Sequence, residues 1–320
     1  VTRLIAVTGT DTGAGKTVVT AALAGALRHR GMHVDALKLV ATGVTPGDAG
    51  EDAALLARAV DRLPHECVIA TYALPRSPLA AATADGRSVD VASLVRRVQA
   101  RASDAGTDIL FVEGVGGLLV PLTAHATVRD VLMRLDAEVL VVARAGLGTI
   151  NHCALTVESC RNAGLRVIGV VMSDVEGVDA QFAAENAAQV ARQCGVPVFG
   201  VLPHQDDASD TAVLARAAAQ YLDLDALTAG ADPRAVAKRS RQEVIAADRA
   251  HVWHPFTQTI EWRDEDALVI GSGRGSWLFD VDGQRYLDGV ASLWANVHGH
   301  AHPALDQALR EQTERIAHST

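Results

Sequence analysis

The stretch Gly9-Thr10-Asp11-Thr12-Gly13-Ala14-Gly15-Lys16-Thr17 constrains this chain more than any other. An apolar run (Leu4, Ile5, Ala6, Val7) leads into it, and an alanine-rich helical pattern over residues 18–27 leads out. A strand that breaks at a glycine-rich turn and restarts as a helix is the geometry that cradles phosphate. The backbone N–H groups of such a loop and of the helix start point at anionic oxygens, Lys16 reaches the outer phosphates, and the Thr17 hydroxyl is placed for Mg²⁺. The plainer reading, a glycine turn before a helix, leaves the Gly-Lys-Thr order unexplained. Five residues separate Gly9 from Gly15, one more than the strict pattern allows, so the loop belongs to a variant subclass.

Through residue 202, apolar runs alternate with helical patterns. Strands are expected at 3–8, 34–39, 109–113, 138–143, 166–172 and 198–201, and helices at 16–28, 51–60, 89–101, 149–163 and 180–194. Continuous apolar strands separated by helices imply a mostly parallel sheet with helices on both faces, an α/β fold of the P-loop NTPase type. Ligands of such sheets sit beyond the carboxyl ends of the strands. The expected organisation is a P-loop domain over 1–224, a linker over 225–250 rich in Ala, Asp and Arg, and a small β-rich segment over 251–320 that holds all four tryptophans.

Lysine occurs only at positions 16, 38 and 238, so each is informative. Lys38 lies in an apolar run, where a snorkelling surface lysine and a ligand-facing cation are the two readings. Glu113 ends the run Ile109, Leu110, Phe111, Val112 and is followed by Gly114, Val115, Gly116 and Gly117; a carboxylate there is a usual Mg²⁺ partner. Asp52 is a second candidate, although a negative charge at a helix start also stabilises the helix by itself. Residues Leu147, Gly148, Thr149, Ile150 and Asn151 open another helix, whose N-terminus can receive a carboxylate or phosphate.

The net charge of −9 argues against a general nucleic-acid binder. The four cysteines form no C-x-x-C pair, and no membrane-length apolar run is present, so a reduced, cytoplasmic protein without membrane attachment is expected.

Taken in order, the loop at 9–17, Lys38 with Gly43, Val112-Glu113-Gly114-Val115-Gly116-Gly117, and Leu147-Gly148-Thr149-Ile150-Asn151-His152 resemble the dethiobiotin synthetase family over about residues 1–205. The variant loop spacing is also that family's. The resemblance implies ATP-dependent ring closure: diaminopelargonic acid takes up CO₂ as a carbamate, ATP phosphorylates it, and the second amine displaces phosphate. It implies that Lys16, Lys38 and Thr12 serve the reacting groups and that Thr17, Asp52 and Glu113 surround Mg²⁺. Gly13, Ala14, Gly15, Lys16, Thr17 and Val18 would hold the triphosphate, and Gly114, Val115, Gly116, Ser173, Asp174 and Pro203 would join them in holding the nucleotide. Thr42 would contact substrate, whose distant carboxylate would rest on residues 147–151 of a second subunit, which implies a homodimer. Gly13 stands where some members have Glu, and Ser173 where an Asn can read adenine. The competing reading is a switch ATPase of the partitioning type; its signature lysine position is Asp11 here.

The tail resembles the start of diaminopelargonic acid aminotransferase, through Val252-Trp253-His254-Pro255-Phe256-Thr257, Asp282-Gly283 with Arg285, Asp288 and Gly289, and His298-Gly299 with His302 and Pro303. Leu293-Trp294 replaces that family's Trp-Trp pair, and Phe256 its tyrosine. No lysine lies beyond Lys238, so the tail is expected to hold no pyridoxal phosphate. A fragment of this size buries too little apolar surface to be secure, so it is expected to be loosely held and dispensable for ring closure.

Overall fold

The computed structural model describes residues 2–229 except 105 and 206, and in the C-terminal part 241–252, 267–281, 284–292, 296–302, 304–306, 308–309 and 312. Two compact units result, Val1–Asp232 and Pro233–Thr320.

In the first unit the chain runs β1 (Arg3–Gly9), α1 (Lys16–His29), β2 (Val34–Thr42), α2 (Glu51–Val60), β3 (Val68–Tyr72), α3 (Pro78–Ala84), α4 (Val91–Ala102), β4 (Ile109–Gly117) and a small hairpin, β5 (Pro121–Thr123) with β6 (Ala126–Thr127). It continues α5 (Val128–Leu135), β7 (Glu138–Arg144), α6 (Thr149–Asn162), β8 (Val167–Ser173), α7 (Ala180–Cys194), β9 (Val198–Leu202), α8 (Thr211–Tyr221) and α9 (Leu224–Thr228). Seven strands form one parallel sheet in the order β3-β2-β4-β1-β7-β8-β9.

The continuous apolar strands follow from burial on both faces. In β1, Ile5 and Val7 join one core and Ala6 the other; in β4, Ile109 and Phe111 join the first core and Leu110 and Val112 the second. The first core lies under α1, α2, α8 and α9, whose alanines allow close approach: a Cβ on Gly25 of α1 would come 3.1 Å from Ala215 Cβ of α8.

The strands differ from expectation in two respects. β2 and β4 run on past Lys38 and Glu113, to Thr42 and Gly117, because the two charges satisfy each other inside the sheet and so do not end it. β3 is an additional edge strand, paired on one side to β2. The expected linker at 225–250 is structured where it is described. Leu224 and Leu227 of α9 are buried in the first core, Arg3 Nη1 donates to the carbonyls of Leu227 and Thr228 at 2.7 and 3.1 Å, and Arg241–His251 is a helix, α10. Lys238 lies outside the described residues.

In the second unit β10 (Ile270–Arg274), β11 (Trp277–Asp280) and β12 (Arg285–Leu287) form an antiparallel sheet. Tyr286 donates to Asp280 at 3.0 Å, His300 Nε2 and Asp288 Oδ2 lie 2.8 Å apart, and the Arg285 guanidinium stacks 4.1 Å over Trp277. Of the tail motifs, Trp253, His254, Pro255, Phe256, Thr257, Asp282, Gly283, Leu293, Trp294 and Pro303 lie outside the described residues. Among the described residues no helix is long and apolar enough to cross a membrane.

If α9 is part of the first core, Leu227→Ala should lower stability by about 2–5 kcal/mol, the cost of emptying a fully buried leucine site. Chemical denaturation of the full chain measures this; a loss below about 0.5 kcal/mol would return residue 227 to the linker.

Candidate active site

β1 delivers the loop at the carboxyl ends of the strands. Gly13 and Gly15 take φ of +76° and +84°, where a side chain is strained. Gly15 has a second reason to be glycine, since a Cβ there would collide with the Ser173 hydroxyl. Lys16 curls back across Gly9, and its Nζ donates to the Asp11 carbonyl at 3.1 Å.

Behind the loop, β2 and β4 place Lys38 and Glu113 directly opposite each other in register. Glu113 is fully buried. Its Oε1 accepts from Lys38 Nζ at 2.5 Å and from Thr17 Oγ1 at 2.8 Å. The far side of Lys38 meets Asp52 Oδ2 at 2.7 Å. Asp52 sits in the first turn of α2, so it lies near the positive helix end and also pairs with a lysine; the two readings open in the sequence coexist.

The charges tune one another. Burial pushes the Lys38 ammonium down, but Glu113 and Asp52 outweigh burial and hold it above its ordinary value. Burial pushes Asp52 up, yet Lys38, helped by a hydrogen bond from Thr17, holds it below the usual carboxylate range. Lys16 is pushed down by burial, with Glu113 opposing and Lys38 adding to the effect.

Thr17, Asp52 and Glu113 are therefore brought together. Among the described residues no group of three or more His, Cys, Asp or Glu side chains could by itself hold a metal. The set here is one hydroxyl and two carboxylates, hard oxygen donors of the kind Mg²⁺ takes alongside phosphate oxygens and water. Glu113 Oε2 is buried without a hydrogen-bond partner, an oxygen that a bound cation would satisfy. The residues fit the ion.

Thr42 lines a cleft of about 370 Å³ with Gly43, Asp48, Glu51 and Asp52. Thr12 lines another, of about 400 Å³, with Thr10, Gly117, Leu119, Leu155 and Ser159. Gly116, at φ +62°, brings its backbone against the Thr12 hydroxyl, which a Cβ would meet at 3.2 Å. Gly114 is buried and Val115 half-buried on the same strand. Ala14 is fully buried and Val18 packs against the first core.

On the other side of the loop Ser173 is buried. Asp174 Oδ1 gathers the N–H groups of Glu176, Gly177 and Val178 at 3.2, 2.8 and 3.0 Å, and the Asp174 N–H donates to Leu202, next to Pro203, at 2.9 Å. Residues 147–151 line neither cleft. Leu147 is 94% exposed and Asn151 exposed, whereas Thr149 is buried with its Oγ1 3.7 Å from Cys153 Sγ.

Sequence reasoning missed Arg144, the last residue of β7. Its Nη2 donates to Asp11 Oδ2 at 3.1 Å and to the Thr12 carbonyl at 3.0 Å, and its Nη1 to Glu176 Oε1 at 3.3 Å. The one available signal was a cation placed where a strand gives way to Ala145-Gly146-Leu147-Gly148.

A family model described as an AAA domain matches residues 3–212. Over 207 residues the chain is 44% identical to the ATP-dependent dethiobiotin synthetase of Anaeromyxobacter dehalogenans strain 2CP-1, covering 64% of this chain and 92% of that protein. The chain belongs to the dethiobiotin synthetase family. A Bacillus licheniformis member is 36% identical over 216 residues, 65% of this chain and 88% of its own. A class-III aminotransferase model matches residues 260–320, so an aminotransferase-like segment follows the synthetase part. An adenosylmethionine-8-amino-7-oxononanoate aminotransferase from Methanocaldococcus jannaschii is 37% identical over 25% of this chain, with a TM-score of 0.24. This chain spans about a fifth of that one, 18%. The MinD cell division protein of Aquifex aeolicus is 14% identical over 71% of this chain and 94% of its own, with a TM-score of 0.42. Scores of this size establish no kinship.

Lys38→Met should cost about 3–5 kcal/mol, because it leaves Glu113 buried and unpaired; Glu113→Leu added to it should recover most of the loss. The Asp52 share of the cluster's stability is complete above the unfolded value of 3.8 and is lost as pH falls through its lowered folded value. The Lys38 share is complete below 10.5 and is lost as pH rises through its raised value. The wild-type minus Lys38→Met difference in chemical denaturation should therefore be flat across neutral pH and shrink at both extremes.

Proposed function

We propose that residues 1–229 catalyse the ATP-dependent carboxylation and cyclisation of diaminopelargonic acid with CO₂ to dethiobiotin, a step of biotin biosynthesis. One observation carries the reading: Lys16, Lys38, Thr17, Asp52 and Glu113 form one charged cluster directly under a phosphate-binding loop, in a chain 44% identical to a synthetase that bears this name.

One amine of the substrate adds to CO₂ and loses a proton, giving a carbamate. A carbamate oxygen attacks the γ-phosphorus of ATP, the bond to ADP breaks, and a carbamic-phosphoric anhydride results. The second amine attacks the carbamate carbon and gives up a proton, the C–O bond to the phosphoryl group breaks, and the ureido ring closes as phosphate leaves. The lysines here neutralise charge and do not abstract protons: Lys38 stays an ammonium because two carboxylates hold it so. Lys16 releases the Asp11 carbonyl to meet phosphate oxygens. Thr17, Asp52 and Glu113 would hold Mg²⁺, whose contribution when bound is to neutralise charge on the phosphates. Gly13, Ala14, Gly15 and Val18 present N–H groups to the triphosphate, with Gly114, Val115, Gly116, Ser173, Asp174 and Pro203 around the rest of the nucleotide.

Thr12 and Thr42 face the substrate from the two clefts. The distant carboxylate is assigned to residues 147–151 of a second copy, in keeping with the exposed Leu119, Leu147 and Leu155, which makes the working form a homodimer in the cytoplasm. The switch-ATPase alternative is disfavoured by Asp11, since a carboxylate stands where such switches carry lysine.

Three outcomes are expected of a ring-closure assay. Lys16→Ala and Lys38→Ala should each lower turnover by at least ~10², and ATP turnover should require both diamine and CO₂; free-running ATP hydrolysis would favour the switch. CTP and GTP should approach ATP as substrates, because the Ser173 hydroxyl cannot present a donor and an acceptor together as Asn does, at a cost of about 1–3 kcal/mol in discrimination. A strong preference for ATP would mean that another group reads the base. The tail, lacking any lysine for a Schiff base, should give no borohydride-trapped pyridoxal phosphate adduct.

A further inference from the structure

We propose that Arg144 is a positioning residue of the nucleotide site, one that neutralises and anchors the Asp11 carboxylate so that the loop can accept a triphosphate. Arg144 has this role only if the loop binds a nucleotide, as proposed above.

The loop has an electrostatic difficulty of its own making. Asp11 places a carboxylate two residues before Gly13, in a segment whose task is to bind anions. Its Oδ1 accepts from the Thr12 N–H at 2.6 Å, its backbone carbonyl accepts from Lys16 Nζ at 3.1 Å, and its Oδ2 accepts from Arg144 Nη2 at 3.1 Å. Arg144 is thus the cation that meets the carboxylate itself. It comes from β7, the strand paired with β1, so its backbone is fixed relative to the start of the loop. The guanidinium borders the loop's crest, since a Cβ on Gly13 would lie 3.6 Å from Nη2.

The other half of the fork reaches Glu176 at 3.3 Å. Glu176 stands in the turn that Asp174 organises, which is the turn assigned to the base end of the nucleotide. Gly146 gives the Glu176 carboxylate its room, because a Cβ there would come 2.8 Å from Oε2. One planar fork therefore ties together the triphosphate loop, the base-side turn and the strand end that precedes residues 147–151. A lysine, a single nitrogen on a flexible stem, does not reproduce contacts divided between the two ends of a planar fork, Nη2 to Asp11 and Thr12 and Nη1 to Glu176. Without Arg144 the Asp11 carboxylate would lose its ion-pair partner beside a loop built to receive anions, and only Lys16, whose ammonium bonds the Asp11 carbonyl, would offset its charge. The side chains are only partly covered, 40% exposed for Arg144 and 52% for Asp11, so the effect should respond to salt.

The test compares the full-length wild type with R144A, R144K and R144A combined with D11N. Binding of ATP with Mg²⁺ is read by calorimetry, and ring closure by kcat and KM. R144A should weaken ATP binding by about tenfold or more and raise KM to match, with kcat within about threefold, because the residue acts on binding and not on the reacting atoms. Raising the salt from about 50 to about 500 mM should narrow the gap to wild type. Adding D11N to R144A should bring ATP affinity back to within about threefold of wild type, which a purely structural role for Arg144 would not allow. If R144A does not fold, R144K carries the comparison, with a smaller loss that D11N again repairs. Unchanged ATP affinity in the Arg144 variants, no repair by D11N, or a fall in kcat with KM constant would each overturn the assignment. A wild type that binds no nucleotide would instead overturn the proposed function.

Discussion

A carboxylate with no exposure at all, placed in the middle of a parallel sheet, is tolerable only when its charge is met on the spot. Glu113 is met by Lys38 from the neighbouring strand and by Thr17 from α1, and Lys38 is met again by Asp52 from α2. Removing these groups from water costs several kcal/mol per ion, so the cluster is not what makes the domain stable. Its effect is to fix geometry. Two strands and two helices must hold their present register and rotation for four side chains to satisfy one another. A slip of one residue between β2 and β4 would turn Lys38 to the opposite face and leave Glu113 without its countercharge.

Much of this architecture is legible in the residues themselves. The strand, loop and helix at 3–29 follow from an apolar run, positive-φ glycines and an uninterrupted alanine pattern. The alternation of the remaining long elements follows from strands that are apolar on both faces. What escapes has physical reasons. β3 is an edge strand whose residues Ile69, Ala70 and Thr71 are only half-buried, so its pattern is weak. The short helices α3, α5 and α9 have too few turns for periodicity to emerge. The continuation of β4 through Gly114, Gly116 and Gly117 defeats a propensity reading, because glycine argues against a strand interior; here a Gly9–Gly117 pairing closes the sheet beside the loop.

The site is legible to a similar extent. Lys16 and Thr17 announce themselves by motif, and Lys38 and Glu113 by being charges inside apolar runs. Arg144 does not, because its partners lie 133 and 32 positions away and the only local mark is its place at a strand end before a glycine-rich turn. Asp52 could not be resolved from sequence, since a first-turn acid stabilises a helix whether or not a lysine faces it. In the tail, the described residues include polar pairs such as Tyr286 with Asp280 and His300 with Asp288, whose partners no apolar periodicity announces.

Arg3, at the start of β1, grips the carbonyls at the end of α9. The polypeptide therefore enters and leaves the synthetase domain at nearly the same point, at the amino ends of the strands, while the nucleotide loop sits at their carboxyl ends. With about 3.3 Å of rise per residue along a strand, the two places are separated by the full height of the sheet. A domain built this way behaves as a cassette. Both ends of the described domain, Arg3 and Thr228, lie at the rear of the sheet, so the loop, the lysines and the carboxylates are built without any contribution from the chain's points of entry and exit.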